Sequence, residues 1–304
     1  MDIRKVLISG ASGMIGSSLV RVLDSQSIQT VKLIRPQGLL SLSSARWDPF
    51  AAKPVSDLTK LDDLDAAVHL SGASVAARRW SAAYQREIVT SRVESTRALA
   101  KLVASLKRKP KVFVCASAVG FYGDRGDELL SEDSPAGRGF LVETCQAWEA
   151  ATGEAEEAGI RVAHARFGVV LTPQGGALAK LLPIFRLGLG GRLGSGRQWM
   201  SWITLEDAVR AILRAVEDES LRGAVNVVAP KPATNAEFTR ALARALHRPA
   251  MVAVPGFVLR IAVGKMADEG LLASTRATPK RLLDSGFEFR DPELETALRL
   301  LLPG

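Results

Sequence analysis

The stretch "LISGASGMIGSSL", Leu7 to Leu19, constrains the fold more than any other. An apolar run ends in a glycine-rich turn, and a helical pattern follows at once. In a strand–turn–helix unit the three glycines have separate duties. Gly10 lets the chain turn, Gly13 lets the backbone approach a pyrophosphate, and Gly16 lets the helix pack on the strand. The first N–H groups of the helix have no partner within it, so they and the helix dipole favour an anion. The spacing is GxxGxxG, not GxGxxG, and a bare triplet is a weak signal. Its place directly after the first strand of a βαβ unit favours a dinucleotide site over a purely structural turn.

The first half of the chain alternates β-branched runs with helical patterns. Strands are predicted at Lys5–Ser9, Thr30–Ile34, Ala66–Leu70, Lys111–Ala116 and Arg161–Arg166. Helices are predicted at Ile15–Ser25, Ala82–Leu106 and Val142–Ala158. This alternation reads as an α/β chain with a Rossmann-type, doubly wound parallel sheet. Beyond Leu171 glycine and proline become frequent and the character of the chain changes. The division expected is residues 1–171, with 202–229 returning to the same domain, against 172–201 and 230–304. In the returning segment, "ITLEDAVRAILRAVED" is amphipathic with acids at its start. "TNAEFTRALARALHR" opens on a Thr or Asn N-cap with Glu237 in its first turn.

The end of the second strand bears on the cofactor. NAD sites place an acid there, roughly 20 residues beyond the loop, to hold the ribose hydroxyls. Here "TVKLI" runs into Arg35, and no acid follows until Asp48. An arginine pairs with a 2′-phosphate through forked, charge-assisted hydrogen bonds. The reading is NADP(H); the plain alternative is a solvated loop arginine.

Composition narrows the partners. A chain of 304 residues that is 47% hydrophobic has ample core. The opening "MDIRKVLISG" lacks the apolar core of a signal peptide, so no leader is expected. No apolar run approaches the ~18 residues of a span, and Arg260 interrupts the nearest, "PGFVLRIAVG". No membrane partner is therefore expected. Cys115 and Cys145 have neither metal nor disulfide spacing, and His69, His164 and His247 stand alone. No metal is expected, and a reducing, cytoplasmic setting fits. The net charge of +8 comes from arginines scattered along helices, with no aromatic interleaving. Nucleic acid is not expected; an anionic cofactor accounts for the charge more simply.

With the loop, Arg35 and "VHLSGA" (Val68–Ala73) in hand, the chain resembles the extended short-chain dehydrogenase/reductases. "RRWSAAYQREIVTSRVESTRAL", "SAVGFYG", "WEAA", "RFGVVLTPQGGAL", "FRLGLGGRLGSGRQWMSWITLED" and "TPKRLLDSGFEFRDPEL" narrow this to the atypical, YfcH-like epimerase group. The resemblance covers nearly the whole chain. It implies an NADP(H)-binding Rossmann domain and a smaller C-terminal α/β substrate lobe that includes a distinctive C-terminal domain over residues 251–304, with a cleft between. It implies that Ser12, Gly13, Met14 and Ile15 hold the pyrophosphate and that Ile34 and Arg35 hold the adenosine phosphate. Leu70, Ser71 and Gly72 would lie along the ribose and adenine. Glu87 and Arg92 would line the cofactor side of the cleft, and Val169 would offer backbone to the nicotinamide. Glu87 and Arg92 are five apart, a poor spacing for a helical charge pair.

The superfamily's usual Tyr-x-x-x-Lys, in which the lysine lowers the tyrosine's pKa, is missing. Four residues after Tyr84 stands Ile88, and four after Tyr122 stands Gly126. Aligning "CQAWE" with the catalytic helix puts Leu141 at the tyrosine position and Cys145 at the lysine position. Ser117 fits the superfamily's serine, as a hydrogen-bond donor to substrate or as a strand-end cap. Tyr122 either faces the cleft or packs. Cys145 is a reactive thiol beside Arg92 or a small core residue. Arg186, Arg192 and Arg197, among Gly188, Gly190, Gly191, Gly194 and Gly196, suit an anionic small-molecule substrate or are solvated. The expected function is an NADP(H)-dependent oxidoreductase or epimerase-like enzyme, a monomer or homodimer. The rival is an NADP(H)-binding protein that has lost catalysis.

Overall fold

The computed structural model describes residues 3–302. The elements of its first half are β1 (Lys5–Ser9), α1 (Met14–Ser25), β2 (Gln29–Ile34), β3 (Ser44–Arg46), β4 (Ala66–His69), α2 (Ala82–Ser105) and β5 (Val112–Ala118). They are followed by α3 (Phe140–Ala150), α4 (Gly153–Glu157), β6 (Arg161–Phe167), α5 (Gly176–Arg186), α6 (Leu205–Glu217) and β7 (Gly223–Val227). Among the described residues these strands form one seven-stranded sheet, ordered β7-β6-β5-β4-β1-β2-β3 and parallel throughout.

The strand sequences explain the sheet. Every residue of β4 is buried, as are the first six of β5 and the last six of β6. Strands that are apolar along their whole length, rather than at alternate positions, need both faces covered, as in a parallel sheet. The step from β1 to β2 moves one way across the sheet and the step from β4 to β5 moves the other. Right-handed crossovers then put α1 and α2 on opposite faces. Correspondingly, α1 packs on α6 while α2 packs on α3 and α4.

The helix expected over Val142–Ala158 is two helices. Thr152 lies between them, its hydroxyl donating to the Glu149 carbonyl at 2.8 Å and meeting His164 Nε2 at 2.9 Å. A side chain that bonds its own backbone competes with helix continuation, and Gly153 follows to lower the propensity further.

The second lobe contains α5, α7 (Asn235–Ala245), α8 (Gly256–Val263) and α10 (Leu294–Leu301), whereas α9 (Lys280–Asp284) packs on β7 with Leu282 in the core of the first domain. Trp202 is fully buried at the centre of its core, with Leu178, Leu182, Phe185, Phe238, Leu242 and Leu298. The sequence signals for α6 and α7 hold. Thr204 caps α6, and Thr234 with Glu237 forms a reciprocal capping box on α7. The tail returns to the first domain, where Arg276–Ala277 pairs in parallel with Leu129–Leu130. Asn226 on β7 donates from Nδ2 to the Thr278 carbonyl at 2.9 Å. The Glu132 carboxylate accepts from the amides of Asn226 and Arg281 at 3.0 and 3.2 Å.

Trp202→Ala should cost about 3–5 kcal/mol, since this ring fills the centre of the lobe's core. Urea denaturation should show a lower midpoint at an unchanged slope.

Candidate active site

The glycine turn is tight for stated reasons. Gly10 has φ +73°, and a Cβ there would lie 2.7 Å from the Leu70 carbonyl carbon. A Cβ on Gly16 would lie 2.2 Å from the Gly10 carbonyl oxygen. Helix α1 opens at Gly13 with no side-chain cap, leaving its first amides for another acceptor. Ser12 is exposed beside it, Met14 and Ile15 half-buried. Helix α5 also opens without a side-chain cap, with Gly175 against the Met14 sulfur. Two uncapped helix starts therefore flank the glycine loop.

The opposite wall is the loop after β4. Leu70 N–H donates to the Ser9 carbonyl at 3.1 Å, and Ser71 Oγ donates to Ser9 Oγ at 3.2 Å. Ser9 in turn meets His69 Nδ1, and His69 Nε2 meets Ser95 Oγ at 3.2 Å. Ser95 donates to the Ser91 carbonyl at 2.6 Å. One set of proton positions satisfies the whole chain: Nε2 carries the hydrogen and Nδ1 accepts. His69 is therefore a neutral structural group, and burial pulls its pKa from 6.5 to about 3.

Arg35 is exposed just beyond β2, its carbonyl closing a turn with Gly38 N–H at 2.8 Å. Arg92 lies behind Gly72, where a Cβ would be 3.3 Å from the guanidinium carbon. It donates to the Ile88 carbonyl at 3.1 Å and sits 5.0 Å from the centre of the Trp148 ring. Burial pulls the Arg92 pKa down from its usual value, opposed by Cys145 and Tyr84. Among the described residues neither arginine has a carboxylate partner. Glu87 does not meet Arg92; it pairs with Arg78 at 3.1 Å on the surface. Val169 N–H donates to the Ser201 carbonyl at 2.8 Å, so that backbone donor is already used within the fold. Ile34, Leu70, Ser71 and Gly72 do lie around the carboxyl ends of β2 and β4.

The three catalytic candidates come close together, but each is committed elsewhere. Ser117 Oγ donates to Glu149 Oε1 at 2.7 Å. Glu149 and Arg166 form a two-pronged ion pair, both contacts 2.8 Å, with side chains 11% and 5% exposed. Arg166 also donates to the Tyr122 hydroxyl at 3.0 Å, and that hydroxyl donates to Asn226 Oδ1 at 2.7 Å. The Phe121 ring covers the guanidinium at 3.4 Å. Tyr122 is fully buried, and burial pushes its pKa up despite Arg166. Of the two readings of Tyr122, facing the cleft or packing, the geometry fits packing: its hydroxyl belongs to an interior network. Cys145 is likewise buried, and its thiol is pushed up to about 11 because burial outweighs the Arg92 charge. At neutral pH it is a thiol, not a nucleophilic thiolate. Leu141 presents a hydrocarbon where the superfamily has tyrosine, and its amide donates to Glu269 Oε2 at 2.8 Å.

Glu149, Arg166, Asn226 and Glu269 escaped sequence reasoning. "WEAA" and "RFG" were visible as motifs, but a pair separated by a helix and a strand is seen only once the sheet has formed.

Known proteins now place the chain. The sequence model of the NAD dependent epimerase/dehydratase family matches residues 6–228. The chain belongs to that family. Residues 254–301 match a domain of unknown function, DUF1731. Among epimerase family proteins, ML0860 of Mycobacterium leprae is 42% identical over 293 residues, covering 96% of this chain and 94% of its own. The human epimerase family protein SDR39U1 is 35% identical over 298 residues, covering 97% and 98%. A crystal structure of the human protein, isoform 2 with NADPH, superposes with a TM-score of 0.90 at 34% identity, covering 98% of this chain and 99% of that one. Within the epimerase family fold seen here, the glycine loop and the C-terminal domain both lie inside these matches.

Two measurements follow. Native Cys145 should resist thiol reagents at neutral pH and react only after unfolding; rapid native labelling would show the thiol to be accessible. His69 is neutral when folded, whereas in the unfolded chain it takes up a proton near pH 6.5. Its contribution is therefore complete above pH 6.5 and lost as pH falls towards about 3, with His164, also lowered, adding in the same sense. His69→Gln should be less stable at pH 7.5 yet lose melting temperature less steeply on acidification. An unchanged slope would remove His69 from the account.

Proposed function

We propose that the chain binds NADP(H) and works as an oxidoreductase or epimerase of its family on a small-molecule substrate. The observation that carries the NADP(H) reading is Arg35, an exposed guanidinium without a carboxylate partner at the end of β2. An acid in that place would repel a 2′-phosphate; a free guanidinium attracts one. The glycine turn fits the pyrophosphate, because its backbone is bare and α1 starts uncapped. Arg92, partly buried with no counter-ion, supplies a second positive charge beside Gly72. The human relative's structure with NADPH supports the same reading. When bound, the nicotinamide supplies a hydride donor or acceptor.

This chain's own residues then hold the dinucleotide and exclude water. The proton must come from a group other than the usual tyrosine. Ser117, with its hydrogen given to Glu149, is left as an acceptor. A second reading, a catalytically silent NADP(H)-binding protein, draws support from the same commitments of Ser117, Tyr122 and Cys145.

Titration with NADPH, followed by nicotinamide fluorescence and thermal shift, tests the cofactor. Wild type should bind NADPH in preference to NADH. Arg35→Asp should weaken NADPH at least tenfold and leave NADH nearly unchanged, by loss of a charged hydrogen bond worth about 1.5–3 kcal/mol. Failure of both dinucleotides to bind would overturn both readings. NADPH oxidation across a panel of carbonyl compounds would favour the enzyme; binding without turnover would favour the silent protein.

A further inference from the structure

The chain's excess of eight positive charges is not spread evenly, although the arginines look scattered in sequence. Residues 173–205 and 247–267 hold seven Lys and Arg and not one Asp or Glu, so they carry seven of the eight. The fold joins these two segments. Val252 N–H donates to the Gly190 carbonyl at 3.3 Å, Val254 N–H to the Arg192 carbonyl at 2.9 Å, and Gly194 N–H to the Val254 carbonyl at 2.8 Å. Arg186, Arg192, Arg197, Arg248 and Lys265 are all exposed there. Of the nearest acids, Asp268 is taken by Arg260 at 2.8 Å, and Glu269 is turned towards the Leu141 amide.

The same surface is apolar at its tips. Met251 is 90% exposed, Leu187 75% and Ile261 70%. Helix α8, "GFVLRIAV", is among the most apolar stretches of the chain, yet Leu259 is its only buried residue. Phe257 and Ile261, one turn apart, form its outer stripe. Soluble monomers rarely leave such a group of large apolar side chains uncovered.

We propose that this face of the C-terminal lobe docks on an anionic phospholipid surface, with Leu187, Met251, Phe257 and Ile261 entering the headgroup region and the surrounding arginines and lysine meeting lipid phosphates. Charge decides the occupant. A basic face whose nearest acids are already engaged suits an anionic bilayer. A second copy seated symmetrically on this face would bring like charges together. Nucleic acid would leave the aliphatic tips without a partner. The expectation of no membrane partner rested on the lack of a spanning segment; no helix among the described residues is long and apolar enough to span, and surface docking needs none.

The test is co-sedimentation of the full chain with vesicles of phosphatidylcholine alone and of phosphatidylcholine mixed with phosphatidylglycerol. Wild type should pellet with the mixed vesicles, and salt should weaken it. The triple variant Leu187→Ser, Met251→Ser, Ile261→Ser should lose at least ~10-fold in affinity, since each tip gives up several buried methylenes. Arg248→Gln with Lys265→Gln should lose ~30-fold, at about fivefold per charge. Unchanged melting and NADPH binding in both variants would show them folded; if the triple variant unfolds, the charge variant alone decides. No pelleting of wild type, or no loss in a folded variant, overturns the proposal. So does a dimer, seen by sedimentation velocity, that the triple variant dissociates, or duplex DNA that displaces the vesicles and binds the triple variant as well as wild type.

Discussion

The Gly10 carbonyl lies where a side chain on Gly16 would have to begin, only 2.2 Å from that Cβ position. The first turn of α1 can therefore rest directly on the loop that follows β1. The loop in turn rests on the next one, since a Cβ on Gly10 would strike the Leu70 carbonyl group. Three backbone segments are stacked without side chains between them. That stacking brings the start of α1, the end of β2 and the Leu70–Gly72 loop to one rim of the sheet. A single methyl group at either glycine would push them apart. The polar chain from Ser71 through Ser9 and His69 to Ser95 then fixes the rim from below.

A second constraint shapes the interior beside α3. Where relatives of the wider superfamily have tyrosine and lysine, this chain has Leu141 and Cys145. The interior beside them is held by the Glu149–Arg166 ion pair. Two buried charges are costly unless their geometry is good and their remaining hydrogen-bonding capacity is met. Both conditions hold here: the pair is two-pronged, Ser117 adds a donor to the carboxylate, and Tyr122 takes a further guanidinium hydrogen. The hydroxyls of Ser117 and Tyr122 serve this pair. Fold and chemistry thus part company in this protein: the rim is complete, whereas the usual proton donor has been replaced by packing.

How much of this the sequence reveals depends on the distance over which each feature is written. The glycine loop, the predicted strands, the acids that open α6 and the cap at Thr234 are local, and they emerge at or near their expected places. The unbroken helix expected over Val142–Ala158 fails because the Thr152 hydroxyl competes with the backbone, an effect hidden by good helix formers on both sides. Tyr122 was legible as a residue of interest but not as a buried one. Its fate depends on Asn226, which is 104 positions away. The basic face was illegible for a similar reason. Its charges look dispersed until Gly190–Gly194 and Val252–Val254 are laid side by side.

Glu269 accepts a hydrogen bond from the amide of Leu141, 128 residues earlier. A helix start in the middle of the chain is thus completed by a carboxylate near its end. During synthesis α3 emerges long before its acceptor has been made. The sheet strands through β6 can assemble meanwhile, but the amide waits on water until Glu269 has been made. A nascent chain arrested before Glu269 would carry the strands of the sheet with the start of α3 still bonded to water.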